Sequence, residues 1–171
     1  MSFKKTIVAE FELRVFDESY TRIYRCLSMI RDEDLWRQPQ RNVPSIGNMI
    51  LHLCGNARQW ILSGLGGKPD NRDRDQEFVP NQKIKKSEMI FLLENLKMNL
   101  RQTISDLPEE ELAKELVIQG FNVSGYSAII HVLEHFSYHT GQITLLTKLW
   151  SGSDTGFYSG LDLNLRNLPK N

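Results

Sequence analysis

Apolar residues recur at helical spacing in four separate stretches of the 171-residue chain. In the first, about residues 5–31, Phe16, Tyr20, Ile23, Leu27 and Ile30 follow alternating steps of four and three. That is the stripe of a helix with one face in a core. Residues 32–39 then read as a short helical turn that Pro39 stops, with Trp36 packing back on the bundle. A second helix is predicted after Pro44, capped by Ser45 and ended by Gly64, Gly66 and Gly67. Its apolar face is Ile46, Met49, Ile50, Leu53, Ala57, Trp60 and Ile61. The third helix is predicted over 87–106 with Ser87 as cap and Met89, Leu92, Leu93, Leu96, Leu100 and Ile104 as its stripe. Residues 116–123 alone have strand character and are expected as an extended connection or a small hairpin. The fourth helix opens near Ser124 or Ser127 and reaches about Trp150.

These elements predict an all-α, single four-helix domain over residues 1–150, followed by a tail at 151–171. The tail has no period. Its leucines, Leu161, Leu163, Leu165 and Leu168, are expected to lie over the bundle or a partner subunit.

The fourth helix carries a second stripe. Beside the core-facing Ile129, Phe136, Ile143 and Leu146, a polar seam runs through His131, His135, His139 and Gln142. A polar seam on a buried helix is costly unless its members are satisfied. Three explanations compete: hydrogen bonds to neighbouring helices, exposure at one end, or a metal ion. Imidazoles four residues apart sit one above the other on a helix and can grip one metal. Successive steps of four drift by ~40°, so all three histidines cannot share one tight site equally. Gln142 lies only ~20° from His135 on the helical wheel. That favours the pair His135 and His139, with an amide beside it to hold a ligand or a water. His131 is then left to line the pocket. His52, the fourth histidine of the chain, lies at the border of the second helix's apolar face. It serves as a working third ligand.

Composition narrows the function classes. The chain has 21 lysines and arginines against 21 aspartates and glutamates. The formal charge is zero, which argues against a general affinity for nucleic acid or anionic membranes. No secretory or membrane-spanning run is visible, so a cytoplasmic setting is expected. In that setting Cys26 and Cys54, both within apolar helical patterns, are expected as free buried thiols. Residues 68–78 are dense in charges of both signs. They read either as a solvated loop whose charges pair with one another, or as a loop that offers Arg72 or Arg74 to an anionic group over a pocket.

Several stretches resemble the DinB-like four-helix family, which includes thiol-dependent transferases such as the bacillithiol S-transferases and maleylpyruvate isomerase. They are residues 45–56, from Ser45 through His52 to Asn56, and residues 134–143, from Glu134 through His135 and His139 to Ile143. Residues 58–61 and 71–78 resemble an uncharacterised branch of that family, and the likeness extends over most of residues 5–150. It implies an up-down-down-up bundle, a homodimer, and a divalent metal, zinc or nickel, held by His52, His135 and His139. It further implies a low-molecular-weight thiol as cofactor and a small-molecule substrate, with Gln142 or Arg58 orienting polar groups. Asn56, Arg72, Arg74 and His131 are the candidate pocket residues. The family's arginine after the last histidine is replaced here by Thr140. Metal-dependent hydrolysis and a non-catalytic metal-binding module for stress response or interaction stand as alternative functions.

Overall fold

The computed structural model describes residues 2–80 and 83–167. Its first helix, α1, runs over residues 3–29 without a break, its middle portion Glu12–Tyr20 wound in wider π turns. Ser2 caps it by accepting from the Lys5 N–H. Helix α2 covers residues 46–65, an α-helical part Ile46–Ala57 followed by π turns over Arg58–Leu65. Here the predicted cap is observed: Ser45 Oγ accepts from the Asn48 N–H, and the Asn48 side chain accepts from the Ser45 N–H in return. A short helix, α3, spans Arg74–Glu77 inside the charged loop.

Helix α4 spans Lys86–Asp106. Ser87 is not its cap, because it already lies within the first turn. Glu88 instead accepts from the Lys85 N–H at 2.9 Å, as the third residue of a helix that starts at Lys86. The strand-like stretch is a two-stranded antiparallel hairpin, β1 (Glu115–Ile118) and β2 (Phe121–Ser124). Gln119 and Gly120 turn between the strands with φ of 54° and 81°, the paired left-handed conformation that a two-residue hairpin loop requires. Helix α5, Gly125–Ser151, completes the bundle and is capped by Ser124.

The core is continuous across the four long helices. Tyr20 of α1 ties three of them together. Its ring stacks on Phe136 of α5 at 5.5 Å, and its hydroxyl donates to the Leu93 carbonyl of α4 at 3.2 Å. That bond removes the desolvation penalty of a phenol placed in an apolar core. Helix α5 packs against both α1 and α2, so one of its flanks faces each of them. Cys26 and Cys54 are free and buried. Trp36 packs back as expected, its indole N–H donating to the Ile84 carbonyl at 2.8 Å. In the tail Thr155 is buried, whereas Leu161, Leu163 and Leu165 are exposed and Leu168 lies outside the described residues. No helix among the described residues is long and apolar enough to cross a membrane.

Candidate metal centre

The flank of α5 that faces α2 carries His135 and His139, one turn apart, and α2 sets His52 opposite them. Ring centroids are 4.8 Å apart for His52 and His135, 5.1 Å for His52 and His139, and 4.5 Å for His135 and His139. Each ring offers one nitrogen, and the three nitrogens lie within 4.8 Å of one another. The two histidines paired by helical geometry and the one brought in by resemblance thus converge on one point.

Hydrogen bonds fix which nitrogen faces that point. His52 Nδ1 lies 2.7 Å from Glu77 Oε2. Arg72 Nη2 also lies 3.2 Å from Nδ1, but a carboxylate only accepts, so Nδ1 carries a proton and Nε2 is the nitrogen left to face the other histidines. His139 Nδ1 lies 2.7 Å from the Gln142 carbonyl oxygen, with the same consequence. His135 Nε2 is buried and has no hydrogen-bond partner among the described residues. An orphaned buried imidazole nitrogen is costly unless something absent from the protein satisfies it. It is the observation that tests the fit of a metal here, and the residues pass. A histidine whose second nitrogen is held by a carboxylate or amide is the usual arrangement around a bound transition metal.

The electrostatics agree with the donor set. Burial, with smaller contributions from the neighbouring His139, His52, His131 and Arg72, holds the His135 imidazole down to about 3. Burial likewise lowers His139, although its bond to Gln142 opposes the shift. Both rings are therefore neutral at pH 7, the form that ligates metal. His135 and His139 are only half-buried, and the exposed Tyr138 borders His139 at 4.9 Å.

Glu77 was not singled out by sequence reasoning, and it is the centre's main support. Its carboxylate is gripped by Arg72 at both oxygens, Nε to Oε1 at 2.7 Å and Nη2 to Oε2 at 2.9 Å. Arg72 Nη1 also donates to Gln59 Oε1 at 2.8 Å, and Gln59 in turn donates to Asp70. Burial alone would raise the Glu77 carboxyl, but the bonds from Arg72 and His52 prevail and hold it below the usual carboxylate range. The pair lies flat against α2 at Gly55, where an added Cβ would overlap the Glu77 carboxylate. A glycine three residues after His52, on the same side of the helix, is the signal that something must pack beside the ring.

The remaining candidates divide. His131 does not join the centre. Its Nε2 accepts from Asn56 Nδ2 at 3.0 Å, and its ring stacks on Trp60 at 3.8 Å, so it is a held ring 5.5 Å from that of His135. Arg72 faces Glu77 rather than an incoming anion, which favours the paired-charge reading of the loop. Arg74 lies over the Phe78 ring at 5.0 Å, and Phe78 packs on His52 at 4.9 Å. Arg58 lines a separate cavity that contains none of the histidines. A further cavity, of about 780 Å³, opens on the opposite side of α5 along Ser137, Thr140, Gly141 and Thr144. It too excludes the histidines, so volume alone does not mark the centre. Thr140 is buried there with its hydroxyl unpartnered among the described residues.

A family model described as a protein of unknown function, DUF1572, matches residues 8–159. The chain belongs to this family. The DUF1572 fold seen here is similar to a DinB-like protein from Bacillus cereus ATCC 10987, at 17% identity and a TM-score of 0.63, over 80% of this chain and 89% of that one. It is also similar to a DinB-like protein from Bacillus subtilis, at 15% identity and a TM-score of 0.65, over 95% and 99% of the two chains. A conserved protein from Enterococcus faecalis matches at 12% identity and a TM-score of 0.69, over 90% and 99%. At such identities the likeness is one of fold, and the expected DinB-like helical fold is the one observed. Among curated proteins no match is found.

Proposed function

We propose that this DUF1572 protein is a metal-dependent thiol S-transferase, in which His52, His135 and His139 hold a zinc or nickel ion. A low-molecular-weight thiol is the nucleophile and a small electrophile the acceptor. A divalent ion on three neutral imidazoles would keep open positions and lower the pKa of a thiol or water placed there. The protein's share is orientation. Glu77 holds the His52 proton on Nδ1, Gln142 holds that of His139, and Arg72 keeps Glu77 ionised beside them.

The thiol reading follows the likeness to the thiol-dependent transferases of the DinB-like family. Among the described residues no carboxylate or cysteine joins the three histidines. Glu77 is spent on Arg72 and His52, and Glu134 is exposed at ~100° from His135 around the helix. An ion on three imidazoles would ionise a bound thiol or a bound water alike, so neither requires a protein base. Tyr138 borders His139, and the His131–Trp60 stack lies beside His135, so aromatic rings flank the centre.

The test is conjugation of small thiols to an aryl halide by protein reconstituted with zinc or nickel. The expected result is a thiol-dependent rate that disappears in His135→Ala. Ester hydrolysis without thiol would move the assignment to a hydrolase, and activity in neither assay would leave a metal-binding module. A homodimer belongs to the same proposal. Leu145 and Leu149 of α5 and Leu161, Leu163 and Leu165 of the tail are exposed and would be covered by a second copy. Sedimentation equilibrium should give a dimer mass; a monomer would contradict this part.

A further inference from the structure

Behind the Arg72–Glu77 pair, away from the histidines, α2, α4 and the charged loop enclose a cavity of about 420 Å³. That volume falls within the ~300–1,000 Å³ common for small-molecule sites. Leu51, Leu62, Ile84 and Leu92 give it apolar walls. Its charged lining is unequal in availability. Asp70 already accepts from Gln59 Nε2 and from the Arg72 N–H. Asp73 caps α3 through the Gln76 N–H, and Glu77 is held by Arg72 and His52. On the basic side, Lys68 meets only the neutral side-chain oxygen of Asn99, at 3.0 Å. Arg58 has no hydrogen bond or ion pair among the described residues.

The acids are thus occupied by donors of α2 and of the loop, while Arg58 and Lys68 form no ion pair among the described residues and stand over an apolar floor. We infer that this cavity binds a small amphipathic carboxylate, its anionic head on Arg58 and Lys68 and its aliphatic body on Leu51, Leu62, Ile84 and Leu92. Arg58 suits the head because a guanidinium can take a carboxylate through two parallel N–H bonds. The cavity shares its Arg72–Glu77 wall with the proposed transferase centre but contains none of the histidines, and the inference does not rest on that centre's activity.

The experiment titrates octanoate, octanol and octylamine into the full-length, metal-free protein by calorimetry, for wild type and Arg58→Gln. Octanoate should bind wild type in a saturable, single-site manner, at least tenfold more tightly than octanol or octylamine. Arg58→Gln should lose that preference with an unchanged thermal unfolding curve, since the side chain is exposed. Lys68→Gln should weaken octanoate to a smaller extent. Octanoate that does not bind, binds no better than octylamine, or binds Arg58→Gln as tightly as wild type would overturn the inference.

Discussion

Two arginine–glutamate pairs of the same chemistry sit at opposite extremes of burial. Between α4 and α1, Arg101 Nε donates to Glu12 Oε1 at 2.9 Å, with side chains 53% and 31% exposed. Beneath the charged loop, Arg72 reaches Glu77 at 2.7 Å with side chains only 4% and 8% exposed. Water and salt screen the first pair, and an exposed bridge of this kind stabilises by about 0–1 kcal/mol. The second has exchanged most of its water for protein. Its partners must satisfy each other, and Glu77 has an oxygen committed to His52 as well. The difference teaches that a bridge's contact distance says little about its role. What surrounds it decides whether it decorates a surface or sets the tautomer of a histidine.

The comparison can be broken most forcefully at Arg72. Arg72→Ala would leave the Glu77 carboxylate buried without its cation, and about 3–5 kcal/mol of stability should be lost in urea unfolding. A loss as small as that at Arg101 would show that the loop opens and hydrates Glu77. Next in size is Glu77→Gln. It keeps the shape but removes the charge that sets His52, so zinc affinity should fall about 10–100-fold in a competition titration. Affinity equal to wild type would mean that the carboxylate plays no part in holding the ring.

A smaller effect separates the pairs by pH. The Glu77 carboxyl is held low in the folded protein by Arg72 and His52, against the opposing pull of burial. Its contribution is therefore present above the unfolded carboxylate pKa and is lost as pH falls through the lower folded value. Metal-free wild type should lose more stability than Glu77→Gln across that acid window, as read from urea midpoints. Parallel pH profiles would contradict the assigned shift. Smallest is Arg101→Ala, which should cost about 0–1 kcal/mol, and less at high salt.

How much of this the sequence discloses follows from the kind of pattern involved. Helices whose stripes obey one period, such as Met89 to Ile104, are legible because burial repeats with the turn. The cap at Ser45 is legible because its chemistry is local. The cap of α4 is not. Ser87 is the better capping residue by type, yet Glu88 reaches back from within the helix and moves the start earlier. The pair His135 and His139 is written in a spacing of four along one helix, and His52 was reached through resemblance. Glu77 belongs to no period and stands among charges that read as solvated. Only the fold shows that the loop turns inward over Gly55 to place it on His52. Arg58, expected through resemblance to orient polar groups at the centre, faces a different cavity because a helix presents each neighbour with a different flank.

The central claim is that His52, His135 and His139 form one metal site. It is tested most directly by elemental analysis of untagged protein, wild type beside His139→Ala. The account predicts about one equivalent of zinc or nickel per wild-type chain and its loss in the variant, since two remaining imidazoles make a poor site. Wild-type protein that carries no metal, even after reconstitution, would contradict it and leave the histidines as a buried polar seam.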